Sequence, residues 1–203
     1  MTLVQRLPCR ACGELIHPDM AARNDGLCMP CKGGYREQIE AGRLRRVQER
    51  ERERTPARLY WRLLVDRVHA SPQAFMQLPQ AERTYYALRC LIGEVFNGGF
   101  YGLFANHSGA LYGLMVDGLL ELEAHRTLGM LTEAKELLLG PGPVPMDHAR
   151  RDALLPESEF FEKILLHRST RLHELDQAFW ADPEGLDGRC TRYAVAQGLY
   201  SAS

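Results

Sequence analysis

Four cysteines carry the clearest chemistry in this chain of 203 residues. Cys9-Arg-Ala-Cys12 and Cys28-Met-Pro-Cys31 are two C-x2-C pairs with 15 residues between them, which is metal-site spacing. Each pair turns tightly enough to bring two sulfurs to one ion. Four thiolates close a tetrahedron around Zn2+ and leave no open position, so the expected site is structural rather than catalytic. Disulfides are the competing use, and a reducing compartment disfavours them. Neither pair has the βαβ surroundings of a thioredoxin-like redox motif. His17 lies between the pairs, but four cysteines already complete the ligand set. Cys90 and Cys190 stand far from any pair, Cys90 within an apolar helical pattern.

A second set of residues has the makings of a small polar site. Asn97-Gly98-Gly99-Phe100 is followed by Asn106-His107-Ser108 and Gly109. An Asn before two glycines allows positive φ and a sharp change of direction. The aromatic residues just beyond carry too much surface to leave in water, and Asn106 or Ser108 suits the N-cap of a following helix. One reading is a buried helix–turn–helix corner. The other is a polar site at that corner, built from Glu94, Asn97, Asn106 and His107, in which Glu94 needs a partner for a carboxylate on an apolar helix. No zinc-protease, nucleophile-elbow, phosphate-loop or dinucleotide pattern is present, and the seven histidines are scattered. The expectation is therefore a non-enzymatic protein.

The elements that must hold these residues read as helices. Residues 1–34, the expected zinc ribbon, have few apolar side chains, so the metal must supply much of their folding energy. Turn residues at Cys12-Gly13 and Asn24-Asp25-Gly26 suggest a short hairpin between the cysteine pairs. Residues 35–55 read as a charged helical linker with alternating Arg and Glu beyond Val47. It is either a solvated spacer or an arm that meets RNA or DNA through Arg43, Arg45, Arg46 and Arg50. Thr55-Pro56 stops it and starts the last region, 56–203, which is expected to be all helical. Apolar spacing there predicts helices over Glu82–Phe96, over Ala110–Leu128 with a break at Thr127 or Gly129, over Thr132–Leu139 and over Ser158–Leu175. His148, Arg150, Arg151 and Asp152 follow a Pro/Gly-rich loop and are expected at the surface. The predicted fold class is mainly α: a small four-cysteine zinc ribbon, a charged connecting helix, then an all-helical globular domain.

Glu94-Val-Phe-Asn97-Gly-Gly-Phe100, with Phe104-Ala-Asn106-His-Ser-Gly109, resembles the signature of the family of DNA mimic protein 19. Ala124–Leu138 and Leu175-Asp176-Gln-Ala-Phe179-Trp180 look like that family's later pieces, so the resemblance covers roughly Pro56 to Tyr200 and leaves out the cysteine region. It implies an all-helical domain. It also implies a role in transcription regulation, in which the protein imitates DNA's charge and occupies the DNA-binding surface of a regulator.

Composition narrows the classes further. The chain is 45% hydrophobic and 25% charged with net charge −1, ordinary for a globular protein. It lacks an apolar run of membrane-spanning length and a secretory h-region, so a cytoplasmic location without membrane contact is expected. Residues 1–54 hold 11 Lys/Arg against 8 Asp/Glu, and residues 55–203 hold 14 against 18. That difference fits neither a strongly basic nucleic-acid binder nor a densely acidic mimic. Two acidic groups are candidates for a partner surface: Asp117, Glu121, Glu123, Glu133 and Glu136, and then Glu174, Asp176, Asp182, Glu184 and Asp187. Carboxylates at i,i+4, as at Asp117 and Glu121, repel, which stability alone does not select. The first expectation is a module that binds a DNA-binding or other basic protein. The alternatives are nucleic-acid binding through the ribbon and the Arg-rich helix, and an enzyme or ligand site at the Asn97–Phe100 corner. The oligomeric state, a dimer included, stays open.

Overall fold

The computed structural model describes residues 5–71, 73–156 and 166–201, of which 166–169 by backbone alone. The chain divides into two units, Met1–Arg58 and Leu59–Ser203.

In the first unit, β1 (Leu7–Pro8) and β2 (Leu15–Ile16) pair antiparallel, Leu7 opposite Ile16 and Pro8 opposite Leu15. This hairpin encloses the first cysteine pair, not the stretch between the pairs. The chain reverses at the pair itself, because Gly13 adopts φ 74 and the Cys9 N–H donates to the Glu14 carbonyl at 2.8 Å. Between the pairs lies helix α1 (Pro18–Arg23), with Pro18 in its first turn and His17 as N-cap, whose ring accepts the Asp19 N–H at 3.3 Å. Helix α2 (Met29–Lys32) follows directly on Cys28. Helix α3 (Arg36–Glu53) then runs for 18 residues and buries none of them.

The helical unit is built around one long helix. In chain order it contains α4 (Pro56–Val68), α5 (Ala74–Gln77), α6 (Gln80–Ala105), a 3-10 turn (His107–Leu111), α7 (Tyr112–Glu121), α8 (His125–Leu139), α9 (His148–Asp152), α10 (Leu166–Trp180) and α11 (Leu186–Ala196). The turn and α7 through α11 all pack against α6. Its inward residues Leu88, Leu91, Val95, Phe100, Leu103 and Phe104 are fully excluded from solvent. Near its start Glu82 is buried, and the Arg67 guanidinium grips its two carboxylate oxygens at 2.6 and 2.8 Å. The Tyr60 hydroxyl donates to the same carboxylate at 2.7 Å.

The expected mainly α architecture is what the chain adopts, with two differences in where helices end. The glycine pair does not terminate the central helix, which bends at Gly99 alone and continues to Ala105. The helix expected over Ala110–Leu128 breaks earlier, at Glu123 with φ 53, and α8 runs unbroken through Thr127 and Gly129. The part of the expected Ser158–Leu175 helix before Leu166 lies outside the described residues.

Candidate functional site

The four cysteine sulfurs of the first unit lie within 4.8 Å of one another, and those of Cys12 and Cys28 are 3.7 Å apart. That is well beyond a disulfide bond of about 2.0 Å. It matches the edge, roughly 3.8 Å, of a tetrahedron with metal–sulfur bonds of about 2.3 Å. The thiols are all free. The Cys28 backbone N–H donates to the Cys9 sulfur at 3.2 Å, and this bond holds the Cys9 thiol down to about 6. The Cys28 sulfur beside it, and then burial, push the Cys31 thiol up to about 12. Four thiols so close cannot all ionise against one another, and a cation at their centre removes that obstacle. The donor set fits a closed site for one metal ion. His17 is occupied as a helix cap and takes no part in it.

The Asn97–Phe100 stretch proves to be a braced bend. Only Gly99 leaves helical geometry, at φ 65 and ψ −174, a region essentially restricted to glycine. The bend frees two backbone groups, and α10 satisfies both. The Asp176 carboxylate accepts the Phe100 N–H at 2.8 Å, so it acts as the N-cap for the resumed helix. The Trp180 indole donates to the Val95 carbonyl at 2.8 Å. Between these bonds the Phe179 ring meets Phe96 and Phe100 edge-on, at 5.9 and 5.5 Å. A Cβ on Gly99 would lie 2.5 Å from an Asp176 oxygen. The glycine thus admits both the backbone conformation and its cap.

Of the four residues expected to form a polar corner site, the structure brings two together. Glu94 accepts from the Asn106 side-chain amide at 2.7 Å and from the Ser108 hydroxyl at 2.8 Å. Ser108 replaces Asn97, which is exposed and makes no side-chain hydrogen bond to them. His107, also exposed, stacks on His148 with ring centroids 4.7 Å apart. The corner ties α6 to the 3-10 turn, with both oxygens of Glu94 accepting from the residues that follow the helix.

Below that corner is a group the sequence placed at the surface. Arg151 is 1% exposed. Its guanidinium donates to the carbonyls of Phe104 at 2.8 Å, Asn106 at 2.6 Å and Pro145 at 2.9 Å, and His148 Nε2 meets the Ala105 carbonyl at 2.9 Å. Together they cap the C-terminus of α6, where backbone carbonyls lack helical partners and a cation is favoured. Gly109 leaves room for it, since a Cβ there would stand 2.7 Å from Arg151 Nε. Arg150 and Asp152 are exposed as expected.

The two acidic groups separate sharply. Every carboxylate of the second group has an internal partner. Glu174 binds Arg171 at 2.9 Å and Asp187 binds Arg89. Asp176 caps the bend, and Asp182 accepts the Leu186 N–H at 2.6 Å. Glu184 accepts the N–H groups of Arg126 and Thr127 at 3.1 and 2.8 Å. That last pair starts α8 and explains why the helix begins before Thr127. From the first group, Glu133 is held by Arg171 at 2.6 and 2.9 Å. Asp117, Glu121, Glu123 and Glu136 are exposed and form no ion pair among the described residues. Beside Glu121, between α7 and α11, lies an open depression of about 260 Å3 lined also by Leu122, Arg189, Arg192, Tyr193 and Ala196.

A family model described as DMP19-like protein matches residues 76–197, which include the bend, its brace and the Glu94 corner. Comparison with curated proteins and with solved structures gives no significant match.

Proposed function

This chain belongs to the DMP19-like family, and we propose that it is a non-enzymatic module whose helical unit binds a basic, DNA-binding protein by imitating DNA's charge. The observation that carries this reading is the division of its carboxylates. Those on α10, on α11 and in the loop between them are used up as caps and ion pairs, whereas Asp117, Glu121, Glu123 and Glu136 on and between α7 and α8 are left to solvent. None of the four forms an ion pair among the described residues, although the Tyr193 hydroxyl lies in hydrogen-bond reach of Glu121, and the i,i+4 pair Asp117/Glu121 costs stability. Such charges gain only when a partner supplies Lys or Arg, and that attraction is screened by salt. Of the family's signature residues, Gly99 and Phe100 serve the bend, Asn106 and Ser108 both bind Glu94, and Gly109 makes room for Arg151, so each has a role in the fold. In the first unit the ion is Zn2+, held by Cys9, Cys12, Cys28 and Cys31 in a structural role.

The test is a pull-down with the intact protein from its native lysate, with and without nuclease, at low and high salt. A protein partner that survives nuclease and leaves with salt supports the reading. The variant Asp117→Asn/Glu121→Gln/Glu123→Gln/Glu136→Gln should lose it. Recovery unchanged by salt or by the four neutralisations overturns it.

A further inference from the structure

We infer that the first unit carries a docking stripe for duplex DNA along α3, formed by Arg43, Arg46 and Arg50 with Arg54 at the helix's C-cap. Read linearly, residues 49–54 alternate Glu and Arg and look neutralised. The helix sorts them. At about 100° per residue, these four arginines fall within an arc of roughly 80°, following the 3-4-4 spacing of one helix face. Arg45 and Arg52 fall nearly opposite. No glutamate lies inside the arc. Glu53, at its edge, is drawn to Arg58 at 2.8 Å. Glu40 touches Arg43 only at 3.4 Å, in an exposed pair that contributes little. Arg46, Arg50 and Arg54 are exposed and form no ion pair among the described residues.

Charge and shape select the occupant. From residue 43 to residue 54 the backbone rises by about 16 Å at helical geometry. A DNA duplex offers one negative charge per roughly 1.7 Å of axis, so a rigid line of cations meets a rigid line of phosphates. Every basic residue of α3 is Arg, none Lys, and the planar guanidinium suits bidentate phosphate contacts. A protein partner is the poorer fit, because apolar contact surface along α3 is confined to a few scattered residues such as Leu44 and Val47. Arg36, at the N-terminal end, is bound to Glu14 of the ribbon and to Glu40. It fixes the start of the helix instead of joining the stripe.

The experiment is fluorescence anisotropy of the full zinc-loaded chain with a labelled DNA duplex, over a salt series, beside a single-stranded RNA of equal length. Arg46→Gln/Arg50→Gln and Arg45→Gln/Arg52→Gln remove the same charge from opposite faces, and circular dichroism checks that both keep their helix content. The first variant should bind the duplex about tenfold more weakly at low salt, with a slope against log salt that is smaller by about 2. The second should stay within about twofold of the parent. Equal losses in both variants, no duplex binding by the parent at low salt, or tighter binding to RNA than to duplex would each overturn the inference.

Discussion

In Met1–Arg58 the arginines of α3 beyond Arg36 stay in water, and the buried cluster consists of Cys9, Ile16 and Cys28. In Leu59–Ser203 charged side chains turn inward and finish helices. Arg151 closes α6, Glu184 opens α8, Asp176 restarts the helix beyond the bend, and Asp182 opens α11. What differs is the apolar surface available around them. A guanidinium or carboxylate can be desolvated only where packed side chains fix its partners in place. The helical unit has that packing around α6; the ribbon does not, and its four clustered thiols form a donor set that could hold a metal ion in place of a core. Charged residues therefore finish helices inside one unit, while most arginines of α3 in the other stay exposed.

The largest effect should come from the metal. Chelation, or Cys28→Ser, should unfold the ribbon and leave the helical unit's thermal transition unchanged, which two-transition calorimetry would resolve. If both transitions shift, the two units are not energetically separate. Gly99→Ala comes next and should destabilise the helical unit by about 3 kcal/mol or more, through positive φ and the collision with Asp176. Adding Asp176→Ala should relieve the collision but not the strain, so urea titration of the double variant should return only part of the loss. Arg151→Met should cost roughly 2–3 kcal/mol by stranding buried carbonyls. Arg151→Lys should not restore it, because a single ammonium nitrogen cannot replace the three guanidinium nitrogens that each reach a different carbonyl. A neutral result there would place Arg151 with the solvated arginines of α3. Trp180→Phe should cost about 1 kcal/mol, the value of one hydrogen bond.

A smaller, pH-dependent effect belongs to Glu82. Burial raises its carboxyl, but the hydrogen bonds from Arg67 and Tyr60 outweigh this and hold it below the usual carboxylate range. Its contribution is complete above the unfolded carboxylate value of about 4.3. It is lost as pH falls through the lowered folded value. Urea midpoints of the parent and of Glu82→Gln should converge in acid and separate near neutral pH.

The legible parts of the molecule were those written locally. The cysteine spacing, the apolar faces of α6 and α7, and the stop at Gly140 involve residues within a turn or two of each other. What stayed hidden depends on distant partners. Nothing near Gly99 announces that its cap is Asp176, and nothing near Ala124 shows that Glu184 will start α8. The neighbours of Arg151 looked like a polar loop, yet they fold beneath the end of α6. One signal pointed to it: Gly109 has no turn to make, and a glycine without that need marks a close approach. The sorting of arginines on α3 was present in the spacing but masked by the alternation of letters.

The bend at Gly99 also has a history in time. Its two backbone bonds join Val95 to Trp180 and Phe100 to Asp176, so during synthesis the central helix emerges long before the residues that hold its shape. At translation rates of about 5–20 residues per second, several seconds separate the two. In that interval the nascent helix has nothing to keep it bent, and its apolar face lacks the cover α10 provides. Docking of α10 is then the step that converts a helix into this particular fold, and Gly99 substitutions should accelerate unfolding while leaving the early folding rate nearly untouched.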